Sequence, residues 1–504
     1  MTIPGLRWRL FLTCWVLYTL HFATDFAREH YLVMSIVDDH SFALDKYYGL
    51  HVDIFQNPPE APVQGAHHGA NPGISMIAAV PYALLKPAVD LVVNRSLQAR
   101  AGQPDATVTY QDDRWRRVEF YKKVRAMGLD IRFGLIAAIT LALCMAPLTA
   151  LSVVLMQRIL QERGMSERTA LAGSLLYGLG TPVFFRAAYL NQNLAIAAFA
   201  LGAFYLLWDP LRGLFARARS RYLLAGLLGG ICLLNDYSGG VVLAGLGLYG
   251  LIRARDDTSW GEAVGLSAWF SIGAVPPILL LWFYQWASFG NPFLPPQNWM
   301  APVEWIEVGY KGVGGFTPEL FRMLLIDSRF GLFITAPMML LGLAAPWVCH
   351  ARDGWLPRRE AIFCLLSSLA LVVFFSCVQY TRLQWVTGIR YLAPVFPFMF
   401  LAAFAVLLRL PRALIAVIAL LSFTVSWCLA MVRSQGTVFD NLQHTFTEGL
   451  QLPWLTVLGK TSAQYLPGLR GGVSALPLML LAAAVIYLIW TVRSPWERPD
   501  PAAG

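Results

Sequence analysis

Six of the eight histidines fall between His21 and His68, alongside Asp25, Glu29, Asp38, Asp39, Asp45, Asp53 and Glu60. Carboxylates and imidazoles are the groups that move protons near neutral pH or hold divalent cations. Three arrangements in this stretch invite a chemical reading. Asp25, Arg28 and Glu29 have the i, i+3 and i+4 spacing of one helix face. A half-desolvated carboxylate at the end of a membrane helix suits a general base, with Arg28 beside it for a phosphate and Glu29 in support. The same spacing suits a solvated helix end with a local ion pair. Asp38, Asp39 and His40 form an adjacent acid pair that could hold a divalent metal with His51 or Asp53. No HExxH-type spacing accompanies them, and Asp-Asp-His-Ser equally suits a polar turn. His67, His68 and Asn71 precede Pro72-Gly73 and an apolar segment. Free N–H groups at that helix start would favour a phosphate, to which either histidine could add a proton or a charge. A wet, flexible loop is the plain alternative.

Other polar residues punctuate the apolar chain later on. Asn235-Asp236-Tyr237 lies in a short turn between two apolar segments, where Asp236 reads as a helix cap. Arg382 and Arg390 flank another turn, in which arginine could bind a phosphate through two N–H groups or reach to lipid headgroups. Tyr310, Lys311 and Arg329 carry the same ambiguity. There is no GxxxxGK[ST], no GxGxxG after a strand and no Cys/His grid, so nucleotide and Rossmann cofactors are not expected. The seven cysteines sit in or beside apolar segments without a CxxC pair and read as core residues. No cofactor is implied beyond a possible divalent metal.

These residues must be held by membrane helices. The chain has 504 residues, 57% hydrophobic and only 14% charged. Soluble domains carry roughly a quarter charged residues. The net charge of +9 does not point to nucleic acid, because arginines punctuate the apolar segments as the positive-inside rule requires. Apolar segments lie near 8–24, 133–157, 169–188, 191–208, 222–235, 238–253, 265–287, 330–349, 361–379, 391–409, 412–432 and 473–492. Twelve such spans predict an all-α polytopic protein with both termini in the cytoplasm. The first segment reads as a membrane helix because no small-residue cleavage site follows it. A further apolar stretch, 73–93, would reverse every later arginine if it crossed. Pro81, Lys86, Pro87 and Asp90 favour an interfacial or re-entrant helix there. Loops 25–132, 288–329 and 433–472 then face away from the cytoplasm, and function is expected on that side.

Read in order, several motifs resemble those of the GT-C superfamily of polytopic glycosyltransferases, which includes bacterial protein O-mannosyltransferases and aminoarabinose transferases. They are Thr24-Asp25-Phe26-Ala27-Arg28-Glu29-His30-Tyr31 after the first helix, Gly69-Ala70-Asn71-Pro72-Gly73-Ile74-Ser75, Gly180-Thr181-Pro182 with Tyr189 to Asn193, and Phe289-Gly290-Asn291-Pro292-Phe293. Arg329-Phe330-Gly331-Leu332-Phe333 and Gly388-Ile389-Arg390-Tyr391-Leu392-Ala393-Pro394 complete the set. The likeness runs from about residue 8 to about residue 409, within a catalytic module of 1–432 followed by a loop and last helix in 433–504. It implies transfer of a sugar from a polyprenyl-phosphate donor, usually with inversion, outside the cytoplasmic membrane, to a glycan, lipid or protein acceptor. It implies Asp25 as the base and Arg390 in the pocket for the departing phosphate. Many relatives carry paired acids at the first site, whereas Asp25 has no such neighbour. Two other readings compete: a transporter or flippase of lipid-linked saccharide, and an inactive relative.

Overall fold

The computed structural model of the chain describes residues 3–23, 27–101, 110, 115–208, 217–349, 354–461, 469 and 472–492. Among these the chain is mostly helical, with almost no sheet. Its one sheet is an antiparallel pair, β1 (Ile54–Gln56) with β2 (Ala66–His68), in which Phe55 faces His67. Six helices are long and apolar enough to cross a membrane: Gly73–Ala101, Asp130–Glu162, Trp260–Phe289, Arg358–Ser376, Arg412–Met431 and Gly472–Thr491. The last of these buries only Ala475 and Ala482 and exposes Val473, Leu480, Leu481 and Tyr487. Such a surface belongs in hydrocarbon.

The remaining apolar segments of the sequence form helices that are shorter, interrupted or, as in Ala218–Asn235 and Ser238–Asp257, less apolar because charges occupy one end, so length and apolarity mark fewer crossings than the expected twelve. The 169–188 segment breaks at Gly180, between Glu167–Leu179 and Pro182–Arg186. The 330–349 segment divides into Leu332–Thr335, a tighter turn Pro337–Ala344 and Ala345–Val348. Each break falls at or beside a proline, which lacks the N–H that would continue the ladder. The long helix Asp130–Glu162 loosens into a π turn over Leu141–Met145, just before Pro147, for the same reason.

The core is built by helices that lie inside the bundle. Every residue of Phe396–Leu407 is buried, as are most of Gln192–Trp208. Helices Ala218–Asn235 and Trp260–Phe289 press backbone to backbone. A Cβ on Gly226 would stand 1.8 Å from the Phe270 carbonyl oxygen, and one on Gly273 would stand 1.9 Å from that of Leu223. Small residues are what let membrane helices approach this closely.

Three elements carry the polar stretch opened above: α1 (Leu6–Leu20), α2 (Arg28–Met34) and α3 (Gly73–Ala101). Just beyond α1, the Ala23 N–H donates to the Ala188 carbonyl at 2.7 Å, pinning that end to the segment after Pro182–Arg186. Asp38 joins α3 to the long helix: Lys86 and Arg132 reach it at 3.3 and 3.2 Å, and the Tyr82 hydroxyl donates to it. Arg132 also pairs with Asp90 at 2.6 Å, and Arg100 with Asp130 at 2.8 Å. The ends and loops of these helices gather at one end of the bundle. The turn after Ala218–Asn235 and the segment before Phe396–Leu407 arrive at the same place.

Candidate active site

Asp25 lies outside the described residues. Its near neighbour Ala27 is placed, with an extended backbone (φ −82, ψ 155) that caps the start of α2. The helix begins at Arg28 and carries Arg28 and Glu29, while the Asp25 end of the expected face falls outside the described residues. Arg28 takes its partners from within α2 and from the loop before β1. Its Nε donates to Glu29 at 3.2 Å and its terminal nitrogen to Asp53 at 2.9 Å.

Arg28 and Asp53 line a cavity of about 610 Å³, open mouth included, together with Asn71, Asp236, Tyr380 and Arg390. A side lobe of about 430 Å³ shares Arg28, Asp53 and Arg390 and adds Glu29, His51 and Gln192. Arg390 and Trp385 line both, and also a wider chamber of about 2200 Å³, open mouth included. Residues from six distant parts of the sequence thus meet around two arginines.

The carboxylates here differ in charge state. Burial alone would raise the Glu29 carboxyl, but Arg28 and Arg390 outweigh it and hold Glu29 below its ordinary value. Asp53 is depressed in the same way: burial opposes, while Arg28, His51 and Arg390 prevail. Asp236 goes the other way, raised by burial. It caps the next helix by accepting from the Ser238 N–H at 2.9 Å, the role its turn position suggests, and it also accepts from Gln192 at 2.9 Å. The cavity wall thus holds two firmly ionised carboxylates and one that protonates more readily.

Arg390 is positioned by a residue that spacing alone does not reveal. Arg186 is 1% exposed, and its Nε donates to the Ile389 carbonyl at 2.7 Å while its terminal nitrogen bonds the Gly388 carbonyl. Gly388 has φ 98, where a side chain would be strained and would strike Phe185. Arg186 also donates to the Tyr189 hydroxyl at 3.1 Å. Burial would raise that phenol, but Arg186, Arg390 and Arg433 together lower it. One signal does point to Arg186: a charge inside an apolar segment is expensive and usually has a task. Trp385 holds a left-handed backbone at φ 46, a strained state for a bulky residue, with half of its surface exposed to the cavities.

The histidines expected to meet a phosphate are placed differently. His67 stands in β2 with its ring 5.2 Å from that of Phe289, and His68 is fully buried. His68 Nδ1 accepts from the Ala70 N–H at 3.0 Å. Burial lowers the His68 ring to about 3, so it is neutral and brings no charge. Neither ring lines the cavities. Their neighbour Asn71 does, donating to the Leu233 carbonyl at 2.8 Å as it enters the wall.

Arg382 lies in the wider chamber, with Gln379 as its partner at 3.4 Å. Lys311 turns the chain at φ 51 between Tyr310 and Val313 and lines none of the three cavities. Asp38 and Asp39, the weak metal candidates, are occupied by cations: Asp38 by Lys86 and Arg132, Asp39 by Lys46. Among the described residues no three histidine, cysteine or carboxylate side chains gather as a metal site would require.

A separate apolar groove of about 1460 Å³, open mouth included, has Gly73 in its wall. It runs between Met76, Val80, Leu148, Leu151, Ile231 and Leu280. The paired prolines Pro276 and Pro277 form part of its wall. Compared with known protein families, with curated proteins and with solved structures, the chain has no match.

Proposed function

We propose that this protein is a membrane glycosyltransferase that takes a sugar from a polyprenyl-phosphate donor and passes it to an acceptor hydroxyl on the non-cytoplasmic side. One observation carries the reading: Arg28 and Arg390 line one cavity that lies beside an apolar groove. Gly73, in the groove's wall, is two positions from the cavity residue Asn71. A phosphate bearing a long hydrocarbon needs both features side by side.

The chemistry balances with the residues at hand. The acceptor oxygen attacks the anomeric carbon, and the carbon–oxygen bond to the phosphate breaks. The electron pair leaves with the phosphate, where Arg390 and Arg28 stabilise the growing charge. Asp25 takes the acceptor proton, the role that its place after the first helix suggests. Asp53 and Glu29 hold Arg28 by its two edges and so fix its direction. Trp385, held in a strained backbone at the junction of the cavities, offers a flat face for the sugar ring.

The test begins in cells. Envelope glycans extracted with and without the protein should differ by one sugar, and Asp25→Asn should reproduce the loss while the protein still inserts. Identical glycans in all three would defeat the reading. A reporter fused near Asp45 should be active only outside the cytoplasm; activity in the cytoplasm would remove both the orientation and the function.

A further inference from the structure

The helix Val438–Glu448 has a different kind of residue on each of three sides. Val438, Asn441 and Thr445 are buried against the protein. Phe439, Leu442 and Phe446, at i, i+3 and i+7, share the adjoining side. Phe439 and Phe446 are 68% and 74% exposed, and Leu442 is half-buried. Asp440, Gln443, Thr447 and Glu448 fill the remaining side and are exposed as well. Around the helix the order is protein, apolar, polar. That order suits a helix lying in a lipid–water boundary, with one side on the protein, one in acyl chains and one in water.

The two ends of the helix fix where it lies. Its last turn abuts the start of Gly472–Thr491, the helix whose surface belongs in hydrocarbon: a Cβ on Gly472 would stand 2.8 Å from the Glu448 carbonyl oxygen. Val473, the next residue of that helix, is 83% exposed. The apolar side of Val438–Glu448 thus ends where a lipid-facing surface begins. Farther along, the Trp454 indole N–H donates to the Leu20 carbonyl at 3.0 Å and its ring stacks on Phe22, so this stretch lies at the site end of α1. At the other end, the Val438 N–H donates to the Ser328 carbonyl at 2.9 Å, and the Thr387 N–H to that of Ser434 at 3.1 Å. Thr387 directly precedes Gly388 in the loop that carries Arg390. The helix therefore connects the rim of the lipid-facing surface to the site loop.

We infer that Val438–Glu448 is an interfacial helix whose partner is the bilayer, lying in the membrane plane at the site end of the bundle with Phe439 and Phe446 among the upper acyl chains. It contains two acids and no lysine or arginine, so burial of apolar surface drives the contact, not attraction to anionic headgroups. Through Thr387 and Ser328 the contact ties the Arg390 loop to the membrane surface. The inference does not depend on the transfer reading.

The test uses the full-length protein in nanodiscs with no donor present. Phe446→Cys and Gln443→Cys, each checked for an unchanged thermal melt, are labelled with an environment-sensitive fluorophore. Six of the parent's cysteines are buried and Cys377 is half-buried, so the parent sets the labelling background. Phe439→Cys supplies a second apolar probe should Phe446→Cys fail the melt. Lipid bearing a nitroxide high on its acyl chain should quench the Phe446 label at least about threefold more than the Gln443 label, and aqueous iodide should do the reverse. The pattern should be the same in neutral and anionic lipid and at about 50 and about 500 mM salt. Equal iodide quenching at the two positions would overturn the inference, because the phenylalanine side would then face water. A Phe446 label shielded from both quenchers would also overturn it and assign this side to a protein partner, such as a second copy of the chain. A pattern that appears only in anionic lipid would overturn the apolar basis of the contact. If the expected quenching is seen and no donor is cleaved in a separate assay, the transfer reading fails and the interfacial helix stands.

Discussion

Two acid–arginine clusters lie within one stretch of this chain, and among the described residues one of them lines the inner cavity while the other lines none of the cavities above. Around Asp38, every charge meets its opposite: Lys86, Arg132 and Tyr82 close on the carboxylate, and Asp90 takes the other edge of Arg132. Around Asp53, Arg28 is held by two carboxylates, yet it still lines open space beside Arg390. The first cluster is a clasp that ties α3 to the long helix. The second is a wall. In sequence the two look alike, each an acidic residue in a polar loop with a cation to meet it. What separates them is whether the paired charges leave room for a ligand.

The sharpest way to break this comparison is at the arginines. Arg390→Ala should lower sugar transfer by about 10²–10³-fold, the usual loss when one donor to a developing charge is removed. Arg132→Ala, in the clasp, should lower the melting temperature but leave transfer per folded molecule within about threefold. A rate assay on purified protein, with the folded fraction measured in parallel, separates the two. If Arg132→Ala were the more damaging to transfer, the clasp would be the site.

The carboxylates give a smaller contrast. Asp53→Asn releases one edge of Arg28 and should cost about 10²-fold in rate through misplacement of the guanidinium. Asp38→Asn should instead cost about 1–3 kcal/mol of stability, because it leaves two cations short of a partner. Denaturation in detergent and single-turnover rates on the same preparations would check both.

Trp385 offers a third. Replacing it with glycine relieves a strained backbone, which should offset most of the stability lost with the ring's contacts. The same change should weaken donor use by about tenfold, mainly in KM, because the stacking face is gone. A folded variant with unchanged KM would remove Trp385 from the sugar site.

The mildest effect is on pH. His30 is lowered to about 4 and His68 to about 3, each by burial. A histidine whose folded value is depressed must take up its proton on unfolding. Its stabilising contribution is therefore complete above about 6.5 and shrinks as the pH falls, by about 1.4 kcal/mol per unit for each ring. Glu29 and Asp53, held below their ordinary values, add a second loss below about pH 4. Melting temperature should fall from about pH 6.5 downward, and His68→Gln should make that limb shallower. A flat profile between pH 7 and 5 would contradict the buried, neutral histidines.

The sequence signals were good for what depends on local pattern and poor for what depends on packing. The helical membrane class follows from apolar segments that any reader of the chain can mark. The convergence of Arg28, Asp53, Asn71, Asp236 and Arg390 was partly legible, because all but Asp53 are polar residues close to the end of an apolar segment. The fate of His67 and His68 was not, because two short strands bury them and nothing in a three-residue strand announces itself. Pairing of Asp38 with Arg132 spans 94 positions and has no local signature. Arg186 was visible only as a misplaced charge in an apolar run; its task, holding the carbonyls before Arg390, lies about 200 residues away.

The central claim is that this site breaks a glycosyl–phosphate bond. The most direct measurement uses the purified protein in nanodiscs with a polyprenyl-phosphate sugar labelled in the sugar, followed by separation of lipid-linked from released or transferred label. Label leaving the lipid with the parent protein, and staying on it with Asp25→Asn and with Arg390→Ala, is the predicted result. Label that stays on the lipid with the parent protein, or that only crosses the bilayer with its donor intact, would contradict it.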